Sequence, residues 1–310
     1  MLSFYLPTKH QRDKKRFILS LKNRADAIKQ EINRVNPDII ISFQQEATFM
    51  LKELIGRDLK VITMFHNNPS DYFESSSFTF CRSALEKSEC CQVLMPEYID
   101  ELKKKLFPKR VVCIPNAVSQ FKQKAFLEQK TIVNIARVSR VKRQHLLIEA
   151  FALLKDKYPD WKVEIWGDTS CDPVYTKELK QLVMDHKLCM QVSFCGVTND
   201  VEEKLEQASI FILPSKREGF GLALAEAMSK GVPAIGCKSC PAVNSLIKDQ
   251  YSGLLCEDTP TDLADKIEQL IKSQKLRQYY GNNAKRQMNE YSADVIWDRW
   301  DQLISSIVKE

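Results

Sequence analysis

The sequence predicts an α/β protein of two domains, each a parallel sheet flanked by helices. Three observations carry that prediction. Short apolar runs bounded by turn residues alternate with helical stretches of roughly 10–15 residues, the pattern of strands joined by right-handed crossovers. The alternation falls into two series, separated by a polar, lysine-bearing stretch over 115–130. In the second series an apolar run ends at Leu213, a turn with Gly219 and Gly221 follows, and a helix begins. The chain has 310 residues, of which 44% are hydrophobic. That is enough apolar material for two cores, and it excludes a disordered chain.

Element by element, the first series reads as a helix over 21–35 and a buried strand over 38–43 after Pro37. A helix over 47–55 and a strand over 60–65 follow. The stretch 71–88 is mostly helical, 91–95 is a strand, 97–106 a helix, and 110–114 a strand closed by Pro115 and Asn116. The second series opens with a strand over 131–135. A helix over 143–157 carries Leu146, Leu147, Ala150, Phe151 and Leu154 on one stripe. A strand over 161–166 ends at Gly167. Then come a helix over 173–187, a strand over 191–195, a helix over 199–207 and a strand over 209–213. After the glycine turn and its helix, strands are expected over 232–235 and 253–256, and helices over 260–272, 274–289 and 292–308. The expected domains are 1–118 and 131–290, with a linker over 119–130 and a C-terminal helix over 291–310 that packs back on the first domain.

Charge and glycine are both unevenly spread. Residues 1–130 carry 22 Lys and Arg against 15 Asp and Glu, and the remainder carries 24 against 25. The positive excess is concentrated in Lys9, Arg12, Lys14, Lys15 and Arg16 and in Lys103, Lys104, Lys105, Lys109 and Arg110. Such runs are either solvated faces or contacts for anionic lipid headgroups or an anionic acceptor. They lack the interleaved aromatics of RNA-binding modules, so nucleic acid is not an expected partner. Of 9 glycines, only Gly56 precedes Gly167. A Walker A loop or an N-terminal dinucleotide fingerprint is thereby excluded, because both need several glycines beside a first strand. The 10 cysteines are scattered, and Cys237-Lys-Ser-Cys240 is a lone CxxC without a second pair or spaced histidines, so no metal site is expected. Without an apolar signal segment or a span of roughly 18 apolar residues, a cytoplasmic setting is expected.

The chemistry concentrates in Pro214-Ser-Lys-Arg-Glu-Gly-Phe-Gly-Leu-Ala-Leu-Ala-Glu-Ala-Met-Ser-Lys-Gly231. Glycines in the turn let backbone amides approach a ligand. The free N–H groups of the helix N-terminus offer partial positive charge to an anion. Together they form a backbone cradle for a diphosphate. Glu226, inside the helix, can accept two hydroxyl hydrogen bonds of the kind a ribose donates. Glu218, on the turn, can bond sugar hydroxyls or face positive charge developing at an anomeric carbon. Plainer readings are a charged turn residue for Glu218 and an i,i+4 pair with Lys230 for Glu226.

The Glu218–x7–Glu226 pair within Glu-Gly-Phe-Gly-Leu-Ala-Leu-Ala-Glu-Ala-Met resembles the signature of family 4 glycosyltransferases, whose fold is GT-B: two Rossmann-like α/β domains facing a cleft. The segment Asn134-Ile-Ala-Arg-Val-Ser-Arg-Val-Lys-Arg-Gln-His-Leu-Leu-Ile-Glu-Ala-Phe151 resembles the opening of that family's donor domain. Val163–Gly167, Val192-Ser-Phe-Cys-Gly196 and Tyr251-Ser-Gly-Leu-Leu-Cys256 resemble its later strand ends. The resemblance is specific over 131–300. It extends more weakly over 36–118 through Pro37-Asp38, His66 and Pro115-Asn116.

That resemblance implies a retaining, metal-independent transfer of a hexose-type sugar from a nucleotide sugar, UDP first and GDP second, with no further cofactor. It implies that Arg137 and Lys142 hold the donor diphosphate, that Glu226 binds the ribose and that Glu218 faces the donor sugar. Gly219, Phe220, Gly221 and Leu222 line the donor, and His66 contacts the reacting centre. Val197 and Thr198 border the base pocket. His10, His145 and His186 read as surface residues. The implied acceptor is a glycan or lipid-linked saccharide, as in cell-surface polysaccharide synthesis. The family's first strands and glycine-rich loop have no counterpart here, so the N-terminal domain reads as incomplete, with a sheet edge open to a second copy. The alternative is a nucleotide-sugar-binding or scaffold protein that has lost transfer.

Overall fold

The computed structural model describes residues 9–310, with side chains from residue 13 onward. Lys9, Arg12 and His10 therefore lie outside the described side chains. The chain divides into two compact units, Met1–Pro115 with Trp297–Glu310, and Asn116–Ile296.

In the first unit, helix α1 (Lys9–Val35) leads to β1 (Ile40–Ser42) and α2 (Gln45–Phe49), which continues as a π-helical turn, Met50–Leu54. Then follow β2 (Val61–Phe65), α3 (Pro69–Phe73), α4 (Phe78–Glu86), β3 (Cys90–Val93), α5 (Glu97–Lys103) and β4 (Val111–Cys113). The strands form one parallel sheet in the order β1-β2-β3-β4. β2 and β3 are buried along their whole length, as continuous apolar runs in a parallel sheet should be. Helix α1 starts well before residue 21, because Phe17 extends its apolar stripe. Phe17 stacks on Phe80 at 5.2 Å and tilts against Phe49 at 5.3 Å, while Ile32 packs with Leu51, Ile55, Leu59 and Val61. Polar groups beneath the sheet are satisfied in series. Thr48 Oγ1 donates to Ser42 Oγ and also lies 2.9 Å from Thr63 Oγ1, which in turn lies 2.8 Å from Ser88 Oγ.

The second unit contains β5 (Thr131–Ile135), α6 (Gln144–Ala152), β6 (Lys162–Trp166), α7 (Pro173–Asp185), β7 (Val192–Gly196), α8 (Val201–Glu206) and β8 (Ile210–Leu213). It continues through α9 (Leu222–Lys230), β9 (Ala234–Cys237), α10 (Pro241–Leu246), β10 (Gly253–Cys256), α11 (Pro260–Lys272) and α12 (Gln274–Met288). The last helix, α13 (Ala293–Lys309), is tied to the first unit through its end. Lys60 Nζ donates to the Ile307 carbonyl at 2.9 Å, and Arg110 reaches Ser306 and Glu310.

All six strands of the second sheet are parallel, in the order β10-β9-β8-β5-β6-β7. Chain progression reverses between β5 and β8, so the crevice outside their carboxyl ends is where such a sheet binds ligands. Helix starts in this unit are fixed by side-chain caps: Asp172, Asp200, Thr259 and Ser273 each accept from a first-turn amide. Three elements differ most from expectation. Helix α6 ends at Ala152 rather than running to 157. β9 begins at Ala234 rather than at 232, because Pro233 has no N–H to give a ladder. Helix α10 was not expected, since six residues are too few to show a period; its signal is Pro241 at the first helical position.

Candidate active site

Two loops flank the reversal point, one running from Ala136 to Arg143 after β5 and the other from Pro214 to Gly221 after β8. Backbone bonds zip them together. Lys216 N–H donates to the Val141 carbonyl at 2.8 Å, and buried Gln144 holds the Arg137 carbonyl from behind at 3.0 Å. The first loop also leans on the neighbouring strand end: Ala136 N–H donates to Trp166 O, and Val138 N–H to Asp168 O. Gly167 makes that approach feasible. Its φ is +148°, and a Cβ there would sit 2.0 Å from the Ala136 carbonyl oxygen.

Within this frame Lys142 Nζ meets Glu218 Oε1 at 2.7 Å, with only 16% and 10% of their side chains exposed. The Arg137 side chain, on the same loop as Lys142, is exposed. Helix α9 begins at Gly221, whose φ of +90° sits in the left-handed region and whose site provides no side-chain cap. A helix start of this kind presents its first N–H groups and the positive end of the helix dipole to an anion. Phe220 is buried, with its ring 5.6 Å from that of Tyr291. Gly219 is half-buried, and Leu222 is 43% exposed at the first helical position.

Glu226 is half-buried and has no hydrogen-bond partner among the described residues. Burial alone raises its pKa above the ordinary glutamate value. The i,i+4 pair with Lys230 does not form. Lys230 is fully buried and bonds Glu202 at 2.8 Å and Glu206 at 3.0 Å instead. Glu226 is left as a carboxylate in want of donors, on the helix whose N-terminus invites an anion.

Arg143 carries no role in the sequence reading. It adopts φ +51° and donates from Nε to the Pro214 carbonyl at 2.7 Å, and from its fork to Asp258 at 2.7 and 3.1 Å. It also reaches Ser239 Oγ at 3.3 Å. Its signal is a backbone conformation and tertiary contacts to Pro214, Ser215, Ser239 and Asp258, none of which a linear pattern displays.

His66 closes β2 in the first unit. Its ring stacks on Phe43 at 5.0 Å with 13° between planes, and its N–H donates to Tyr72 Oη at 3.0 Å. Burial lowers its pKa, favouring the neutral ring. His145 and His186 are half-buried rather than surface residues: His145 Nδ1 lies 2.8 Å from Tyr175 Oη, and the His186 carbonyl accepts from Lys155. Val197 is 70% exposed, and Thr198 is engaged with Asp200. All ten cysteines are free thiols. Cys237 and Cys256 approach to 3.6 Å on adjacent strands, and burial pushes Cys240 up to about 11. Among the described residues no group of three or more potential ligands could hold a metal ion.

Residues 116–287 match the family described as glycosyl transferases group 1, which is more than half of the chain. The chain belongs to that family. As a group 1 glycosyl transferase it has relatives that differ widely in size. It is 31% identical over 215 residues to an exopolysaccharide phosphotransferase of Streptomyces coelicolor, covering 68% of this chain and 22% of the relative. It is 25% identical over 292 residues to a Campylobacter jejuni transferase named for adding α-1,4-N-acetyl-D-galactosamine to a GalNAc-containing diphospho-undecaprenol. That match covers 91% of this chain and 78% of the relative. Among solved structures, the Anabaena protein HepE in complex with UDP and glucose superposes with a TM-score of 0.83 at 19% identity, covering 93% of this chain and 83% of the other. The fold is therefore that of GT-B glycosyltransferases, with two parallel-sheet units. No helix among the described residues is long and apolar enough to cross a membrane.

Proposed function

We propose that this group 1 glycosyl transferase is a retaining hexosyltransferase that takes its sugar from a nucleotide sugar, UDP-linked before GDP-linked, and needs no metal. The proposed acceptor is a glycan or lipid-linked saccharide in polysaccharide synthesis. The observation that supports this reading is the Lys142–Glu218 ion pair between the loops after β5 and β8, at the reversal point of the sheet, with Glu226 on the helix that follows the second loop.

A departing nucleoside diphosphate develops negative charge, and fixed cations and amides aimed at it lower the barrier. Lys142 supplies a point charge, Arg137 a bidentate fork, and α9 its first-turn amides. Without a ligand Lys142 is neutralised by Glu218; an incoming diphosphate competes for the ammonium and frees Glu218 to face the sugar. Glu226 accepts the two ribose hydroxyls. Retention follows a same-face route in which a leaving diphosphate oxygen takes the acceptor proton, and His66 contacts the reacting centre. The exposed Lys14, Lys15, Arg16 and Lys22 on α1 would rest on an anionic membrane surface, on the cytoplasmic face. The β1 edge, which pairs with β2 alone among the described residues, would suit a second copy.

The test is turnover of a nucleotide-sugar panel by the wild type and by Lys142→Ala and Glu226→Ala. Each substitution is expected to cut transfer at least about 100-fold, roughly 2.7 kcal/mol. Near-normal turnover in both would remove the residue assignment. Tight nucleotide binding with no hydrolysis or transfer would favour a binding or scaffold protein instead.

A further inference from the structure

The turn that carries Lys142 has no cap of its own. Arg140–Lys142 is a single 3-10 turn, and it runs into α6 through Arg143, whose left-handed backbone gives that helix no side-chain cap. The third helical amide, that of Leu146, is taken by the Arg143 carbonyl at 2.9 Å. The second, that of His145, is one that an N-cap side chain ordinarily satisfies. Left to water, it would let the helix start fray.

Tyr175 takes that amide from α7. Its hydroxyl oxygen accepts the His145 N–H at 3.1 Å and lies 2.8 Å from His145 Nδ1. An oxygen that accepts the amide still has its own proton to donate. A neutral ring with a bare Nδ1 receives it, and burial lowers the His145 pKa in favour of that ring. The Tyr175 side chain is buried, and its backbone N–H is fixed by the Asp172 cap at 3.0 Å. The hydroxyl therefore stands on a rigid element.

The ring of Tyr175 makes a second contact with the same turn. The Arg140 guanidinium carbon lies 5.3 Å from the ring centroid, and Arg140 Nη2 meets Glu178 Oε1 on the next turn of α7 at 2.6 Å. The exposed ion pair contributes little by itself, whereas the buried ring is a fixed platform for the cation. One side chain thus grips the turn at Arg140, where it starts, and at His145, just past its end. Lys142 lies between the two grips. Were packing its only duty, a phenylalanine would fill the same space.

We propose that Tyr175 is a positioning residue for the donor diphosphate, holding the Arg140–Lys142 turn so that the Lys142 ammonium is in place before the ligand arrives. Placement in advance spares an ordering cost at binding. The link to the diphosphate rests on the transferase reading of Lys142, and the hold on the turn rests on the Tyr175 contacts alone.

The experiment is calorimetric titration of UDP into four forms of the full chain: wild type, Tyr175→Phe, Lys142→Ala and the double variant. Tyr175→Phe keeps the ring under Arg140 and removes only the hydroxyl, and circular dichroism confirms folding. It should weaken UDP binding about threefold to tenfold when Lys142 is present and less than about twofold when Lys142 is replaced. A general loosening of the unit would weaken both backgrounds alike. Hydrogen exchange over 138–146, measured without ligand, should be faster in Tyr175→Phe than in the wild type. Equal losses in the two backgrounds, wild-type affinity in Tyr175→Phe, or unchanged exchange over 138–146 would each overturn the proposal. No UDP binding by the wild type would count against the transferase reading and remove the link to the diphosphate. Faster exchange in Tyr175→Phe would then leave the hold on the turn standing.

Discussion

At Glu226 the proposed nucleotide-binding role and stability pull in opposite directions. Its carboxyl is half-buried without a donor, and burial raises its pKa. Between the ordinary glutamate pKa of 4.5 and that raised value, the folded chain holds more of this proton than the unfolded chain does. Stability therefore falls as pH rises through the window. Ribose hydroxyls would donate to the charged form, so nucleotide binding should strengthen over the same rise. Glu226→Gln is expected to raise Tm at pH 7 while weakening nucleotide binding and flattening its dependence on acidic pH. Thermal melts and titrations at a series of pH values check both halves. A lowered Tm at pH 7 would contradict the unpartnered state of the carboxylate.

At the scale of elements, the site is a matter of how two loops are pinned. Arg143 spans both, and its left-handed backbone costs about 1 kcal/mol in a non-glycine residue. Arg143→Gly should therefore leave Tm nearly unchanged while nucleotide affinity drops roughly fivefold to tenfold. Arg143→Lys should recover part of it. A double-mutant cycle with Asp258→Asn should show coupling of about 0.5–3 kcal/mol. Gly167→Ala should behave differently, because its Cβ has no room beside Ala136 O. We expect a loss of about 1–3 kcal/mol of stability, together with weaker nucleotide binding as the Arg137 loop moves.

These two residues also mark what the sequence could and could not display. Strand β10 and helix α11 have the expected bounds, because Gly253, Thr259, Pro260 and Ser273 punctuate them. Lys142, Glu218 and Glu226 drew attention through residue type and spacing. Arg143 did not, since its role lies in φ and in carbonyls 71 or more residues away. Lys230 was legible only as a spacing partner for Glu226, whereas its partners lie on α8 rather than one turn back along α9.

For the whole molecule, the parallel two-sheet architecture was readable from alternation, but the strand order was not. The order comes from which crossovers pass to which face, and it is the order that puts the loops after β5 and β8 side by side. The positive excess of the first 130 residues belongs to this scale as well. Sedimentation with anionic vesicles at low salt should carry the protein down, and the effect should fade as ionic strength rises. No sedimentation with anionic vesicles at low salt would set aside the membrane contact. Nucleotide binding should in turn stabilise the fold by about 2.7 kcal/mol at 100 times Kd.

The central claim is that the loops after β5 and β8 hold a nucleoside diphosphate through Lys142. Calorimetric titration of UDP into the wild type and Lys142→Ala tests it most directly. The wild type should bind one UDP per chain, and the variant should bind at least about tenfold more weakly, a loss of roughly 1.4 kcal/mol or more. Equal affinity in the two proteins would contradict the account.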